Sequence, residues 1–114
     1  MKNLALLILT GLFSFFVSAQ TGAIKGKLQD TVLQSLSNAT VSVLRTQDSS
    51  LINYTLSDAK GAFEIKNLAI GTYQLFVSFT GYEGYKKSFS ITPEKLVSDF
   101  GVIMMKQELK LLQE

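Results

Sequence analysis

The sequence predicts an all-β domain, a seven-stranded antiparallel β-sandwich, preceded by an export signal. Three observations predict it. From Thr21 onward the apolar residues recur with period 2 rather than 3.6. The runs with that period are short, and Gly, Asp and Pro punctuate them. The first 19 residues hold 13 apolar ones and a single charge, Lys2.

The leader comes first. Lys2 supplies a positive start, and Leu4–Leu9, Leu12, Phe13 and Phe15–Val17 form the apolar stretch. Val17-Ser18-Ala19 places compact residues where a signal peptidase reads, so cleavage is expected between Ala19 and Gln20. The apolar stretch is about 14 residues, short of the roughly 20 that span a bilayer, which argues against a retained anchor. No Cys follows it, which removes a lipoprotein anchor.

The strands follow in order. Ile24, Gly26 and Leu28 alternate with Lys25 and Lys27. Ala39, Val41 and Val43 alternate with Thr40 and Ser42. Ile52, Tyr54 and Leu56 alternate with Asn53 and Thr55, and Phe63 and Ile65 with Glu64 and Lys66. Tyr73, Leu75, Val77 and Phe79 form the inward set of a fifth strand, expected to be the longest and central. Its odd member, Phe76, falls on the polar face, either shielded by long neighbours or serving as a docking contact. Phe89 and Ile91 alternate with Ser88 and Ser90, and Val102–Met105 is a last apolar run. Burying one such side chain fully stabilises the fold by roughly 1.5–3 kcal/mol.

Turn chemistry separates the runs. In Asp58-Ala59-Lys60-Gly61 the carboxylate accepts from N–H groups further along, and Gly61 takes positive φ without steric cost. Ala69–Thr72, with Gly71, joins the fourth strand to the fifth, and Gly81–Gly84 joins the fifth to the sixth. Pro93 ends the sixth. The tail, 106–114, carries Leu109, Leu111 and Leu112 among Lys, Glu and Gln, and reads as a short amphipathic helix or a frayed linker. The expected division is 1–19 signal peptide, 20–105 sandwich, 106–114 tail or truncated linker.

Composition narrows function by exclusion. The 114 residues contain no Cys and no His. That excludes a disulfide framework, a thiol nucleophile, an imidazole base for a Ser triad, and Cys- or His-ligated zinc. The net charge of +2, reduced to +1 once Lys2 leaves with the leader, gives no footprint for nucleic acid. Asp30, Asp48 and Asp58 are too dispersed for a Ca²⁺ loop. The sequons at Asn38 and Asn53 read as chance matches. Asn38, Asn53 and Asn67 all lie outside the last strand, against a Lys–Asn isopeptide bond. No catalytic residue, metal or cofactor is expected, and the chain is expected not to be an enzyme.

Gly26, Asp30, Ala39-Thr40-Val41, the run Thr55–Phe63, Gly71-Thr72-Tyr73 and Gly81-Tyr82 together resemble the carboxypeptidase regulatory-like domain, over Thr21 to about Met105. The resemblance implies a sandwich of transthyretin-like, immunoglobulin-like topology. It makes Asp58, Gly61, Phe63, Gly71, Tyr73, Gly81 and Tyr82 structural signature residues. With Asp48-Ser49-Ser50 ahead of the third strand, the chain is similar to the module at the N-terminus of TonB-dependent receptors in Bacteroidetes-type bacteria. There it precedes a plug and an outer-membrane β-barrel.

The resemblance implies a non-catalytic module in the periplasm or associated with the outer membrane. It would act by protein–protein contact with a receptor plug, barrel or other envelope component. It would be either a stand-alone domain or the leading piece of a truncated receptor. The alternative is a secreted carbohydrate-binding or adhesive sandwich, for which exposed aromatics are needed. Tyr54, Tyr82 and Tyr85, with Phe76, are the candidate contact residues.

Overall fold

The computed structural model describes residues 20–108. The expectations for the leader, including cleavage after Ala19, and for Leu109, Leu111 and Leu112 lie outside them. Seven strands form: β1 (Thr21–Asp30), β2 (Thr40–Arg45), β3 (Leu51–Leu56), β4 (Ala62–Ala69), β5 (Gly71–Ser78), β6 (Tyr85–Ile91) and β7 (Val97–Met105). They make two sheets, a three-stranded one ordered β4-β1-β7 and a four-stranded one ordered β3-β2-β5-β6. This is the predicted sandwich, with one difference: β1 and β7 pair parallel.

One core joins the sheets. Ile24, Leu28, Val41, Val43, Leu75 and Val77 are fully buried, with Ile65, Leu68, Ile91 and Met105 beside them. The inward sets named from the period-2 pattern of β1, β2, β4, β5 and β6 therefore meet between the layers. Tyr73, Phe89 and Phe100 extend this core as an aromatic chain, with ring centroids 5.6 Å apart at each step. Gly26 faces inward where a Cβ would fall 2.7 Å from the Phe63 ring, so its bare backbone is the surface on which Phe63 packs.

The structure departs from the alternation at three places, each a register slip. In β3, Ile52 is an extra residue between the pairs Val43–Asn53 and Leu44–Leu51. A one-residue insertion reverses which side chains face inward. Ile52 still packs on the core, but Tyr54 and Leu56, which share its alternation in the sequence, pair with Ser42 and Thr40 and stand exposed. In β4, Lys66 and Asn67 stand against Ala23 alone, and Asn67 takes φ 62°. In β7, Phe100 and Gly101 stand against Gly26 alone, with Gly101 at φ 63° and its N–H donating to Asp99 Oδ1 at 2.8 Å. That slip lets β7 begin at Val97, ahead of the apolar run at Val102 that announced it. The fifth strand lies inside its sheet as expected, but β1, with ten residues, is the longest.

Candidate functional site

Side chains of the turns satisfy the backbone around them. Asp58 Oδ1 accepts from Lys60 N–H and Ala62 N–H, both at 2.9 Å, which closes the turn anticipated at this position. Asp30 is buried, and its Oδ1 accepts from Val32 and Gln34 N–H at 2.9 Å. The Tyr82 hydroxyl donates to Asp30 Oδ2 at 3.3 Å while its ring stacks on Phe79. Asp48 accepts from the Ser50 hydroxyl at 2.7 Å and from the Ser50 N–H at 3.1 Å. Those two bonds, with Arg45 nearby, hold the exposed Asp48 carboxyl below its ordinary pKa of 3.8. The three aspartates thus serve three separate turns.

Ser57 belongs to the same class and was not singled out from the sequence. Its buried hydroxyl accepts from Ala39 N–H at 2.9 Å and donates to Leu36 C=O at 2.6 Å, tying the approach to β2 onto the end of β3. Its only sequence signal was its place between Leu56 and Asp58. Among the described residues no buried side-chain N or O atom lacks a partner.

The signature residues divide by role. Gly61 combines φ 79° with close approach to the Leu28 carbonyl, and Gly81 takes φ 89° in open space. Gly71 has neither feature: a Cβ there meets only Tyr73, at 3.6 Å. Tyr73 and Phe63 are core residues, and the Tyr73 hydroxyl donates to Ala69 C=O at 2.7 Å.

The candidate contact residues do not gather. Tyr82 is engaged with Phe79 and Asp30, and Tyr85 pairs with Val77 and leans on the core. Phe76 lies on the outer face beside Gly84, and the Lys86 ammonium stands 5.5 Å from its centroid, so long neighbours shield it as one reading anticipated. Tyr54 alone is open, 60% exposed. It shares a cross-strand row with Ser42, Phe76 and Lys86, and Leu51 and Leu56 flank it on β3, both more than half exposed. This outer face of the four-stranded sheet, ending at the β3 edge, is the candidate site.

The other sheet offers a different surface. A shallow depression of about 530 Å³ lies over Lys25, Lys27, Glu64, Asp99 and Val102. Lys25 pairs with Glu64 on one side and Asp99 on the other, so the charges alternate and no single-sign field results.

The family model for the carboxypeptidase regulatory-like domain matches residues 23–100. The chain belongs to that family. The match spans β1 to the slip in β7 and includes every signature residue. No curated protein matches the chain. Solved structures share its fold at low identity. The group B streptococcus pilus 2b backbone protein aligns with TM-score 0.59 and 16% identity over 80% of this chain and 43% of its own. The major pilin subunit of Bacillus cereus aligns with TM-score 0.64 and 16% identity over 78% and 31%. A streptococcal ancillary pilin aligns with TM-score 0.61 and 22% identity over 81% and 31%. The chain thus spans less than half the length of each of these proteins. As a carboxypeptidase regulatory-like domain it shares one sandwich with them.

Proposed function

We propose that this carboxypeptidase regulatory-like domain is a non-catalytic module of the bacterial cell envelope that acts by binding protein, in the manner of the module that introduces a TonB-dependent receptor. The observation that carries the reading is the β3 edge, where Leu51, Tyr54 and Leu56 are exposed beside open backbone. Two further features support it. The buried polar side chains already have partners within the sandwich, so none of them waits for a ligand. The parallel β1–β7 pair sends the chain in at one end of the sandwich and out at the other, which suits a module threaded between a leader and a following element. The pilin fold of the neighbours accords with export.

The test is fractionation of the tagged chain in a Gram-negative host, combined with a photo-crosslinker at position 54 or, as control, at Lys66 on the other sheet. The chain is expected in the envelope fraction, with crosslinked protein from position 54 and none from position 66. A chain confined to the cytosol, or equal crosslinking from both positions, would refute the reading.

A further inference from the structure

Four strand edges stand open among the described residues: β3 and β6 in one sheet, β4 and β7 in the other. Exposed edges invite foreign strands, and proteins guard them with charge, Pro or local irregularity. Three of the four are guarded. β6 carries Lys86 on its outer face, and Lys87 on its inner face reaches over the Phe100 ring. β4 carries the Glu64–Lys66 ion pair and bends at Asn67. β7 carries Asp99 and bends at Phe100–Gly101.

β3 differs. Leu51-Ile52-Asn53-Tyr54-Thr55-Leu56 contains no charge, no Gly and no Pro. Its slip lies at its beginning and leaves Asn53–Leu56 regular. The Tyr54 N–H donates to Oδ1 of the adjacent Asn53 at 2.8 Å rather than to β2, which marks Tyr54 as a residue whose backbone faces the open side.

We propose that the β3 edge joins two copies of this chain, paired antiparallel about a two-fold axis at Tyr54. This deepens, and rests on, the reading that the module works by protein contact. Self-complementarity favours a second copy. The axis must sit at an edge-facing residue for that residue to exchange both backbone bonds with its symmetry mate. Tyr54 is such a residue once its N–H exchanges the adjacent Asn53 Oδ1 for the carbonyl of the mate, and it lies nearest the middle of the strand. With the axis there, Thr55 faces Asn53 of the partner subunit, and Leu56 lies opposite the backbone of Ile52 of the partner subunit, with the two side chains on opposite faces of the sheet because of the slip. No like charges meet, the tyrosines abut on the outer face, and a polar pair lies on the inner side. The pairing consumes both open β3 edges, so assembly stops at two copies in one eight-stranded sheet. Five residues per copy fall well short of the roughly 800 Å² per partner of a stable interface, so the dimer is weak and depends on concentration.

Sedimentation of the chain purified from whole cells, from micromolar to near-millimolar concentration, tests this. The wild type is expected to shift from one to two copies. Tyr54→Lys and Tyr54→Glu, each placing like charges across the axis, are expected to stay single, and an equal mixture of the two to pair again. The mixture also shows that each variant folds. Lys66→Glu is expected to pair as the wild type does. A wild type single throughout, open-ended assembly, a Tyr54→Lys that pairs unchanged, or a mixture that stays single would each overturn the proposal. A chain that stays single in solution, yet crosslinks from position 54 to a different envelope protein, overturns the dimer and leaves the proposed function standing.

Discussion

Replacing Gly61 with Ala brings two costs that the structure separates. Gly61 sits at φ 79°, where a Cβ crowds the following carbonyl oxygen at a cost of roughly 1–2 kcal/mol. The new methyl would also press into the Leu28 carbonyl oxygen and lie 3.2 Å from Leu36 N. Both are backbone atoms and cannot rotate aside, so the turn must move. Moving it breaks the 2.8 Å bond from Leu28 N–H to Gly61 C=O, at a residue that is fully buried. An unpaired buried donor costs about 1–3 kcal/mol. Against these, Ala stiffens the unfolded chain and returns about 0.4–1 kcal/mol. The net loss is about 2–4 kcal/mol, a large part of the roughly 5–15 kcal/mol that holds a domain together. Gly81 supplies the control, since its φ is 89° but no atom lies within 4 Å of the point a methyl would occupy. Gly81→Ala should cost only about 1 kcal/mol. Gly71→Ala, with ordinary φ and ordinary contacts, should be neutral or slightly stabilising. Urea unfolding of the three variants, compared at a shared m-value, gives the ranking directly. A Gly61→Ala loss no larger than that of Gly81→Ala would refute the role of the Leu28 contact. A Gly71→Ala loss as large as that of Gly61→Ala would refute the division by φ and space.

Two further outcomes follow from side-chain bonds to the turns. Ser57→Ala removes a donor and an acceptor at once and leaves Ala39 N–H and Leu36 C=O unpaired, so unfolding should show a loss of about 2–4 kcal/mol, and a loss within about 0.5 kcal/mol would contradict the buried bridge. Asp48 should titrate below 3.8 by carboxyl NMR, and because its folded pKa is depressed, its contribution is present above that value and fades as pH falls through the folded one; Ser50→Ala should raise the midpoint towards 3.8, and an unchanged midpoint would exclude the hydroxyl as the main cause.

Alternation located the strands because it depends only on which residues avoid water. Ala39, Val41 and Val43, or Tyr73, Leu75 and Val77, had nowhere to go but the core, and there they are. Turn chemistry was equally plain at Asp58 and Gly61, where the bonds are local. What the sequence concealed depends on the partner strand. The extra residue at Ile52 exists only relative to Val43 and Leu44, so Tyr54 and Leu56 changed face without any change in their own pattern. The parallel β1–β7 pairing and the Phe100–Gly101 slip are likewise properties of two strands brought together from opposite ends of the domain. The candidate site was half legible for the same reason. Tyr54 was named for its ring, but its exposure follows from the slip.

The two outer faces show why contact is more reasonably sought on one sheet than on the other. On the three-stranded sheet Lys25, Lys27 and Gln29 of β1 face outward, with Glu64 and Lys66 of β4 beside them. Its large exposed apolar residues, Val97, Val102 and Met104, all lie on β7. The charged residues of β1 and β4 keep that part of the face hydrated, and its apolar exposure is confined to β7. On the four-stranded sheet the outward residues of β2 and β3 are Thr40, Ser42, Leu44, Leu51, Tyr54 and Leu56, without a charge, and Phe76 of β5 continues the surface until Lys86 covers it. Charge therefore increases across this sheet from β3 to β6, and desolvation becomes costlier in the same direction. A partner that approaches from the β3 side meets the cheapest surface to dry and the one edge without a guard, so backbone pairing and apolar contact would be gained together. Exposed apolar residues scattered over a protein need no explanation; Leu51, Tyr54 and Leu56 lie together on an edge strand that carries no charge, Gly or Pro, and that coincidence is the ground on which contact is proposed there.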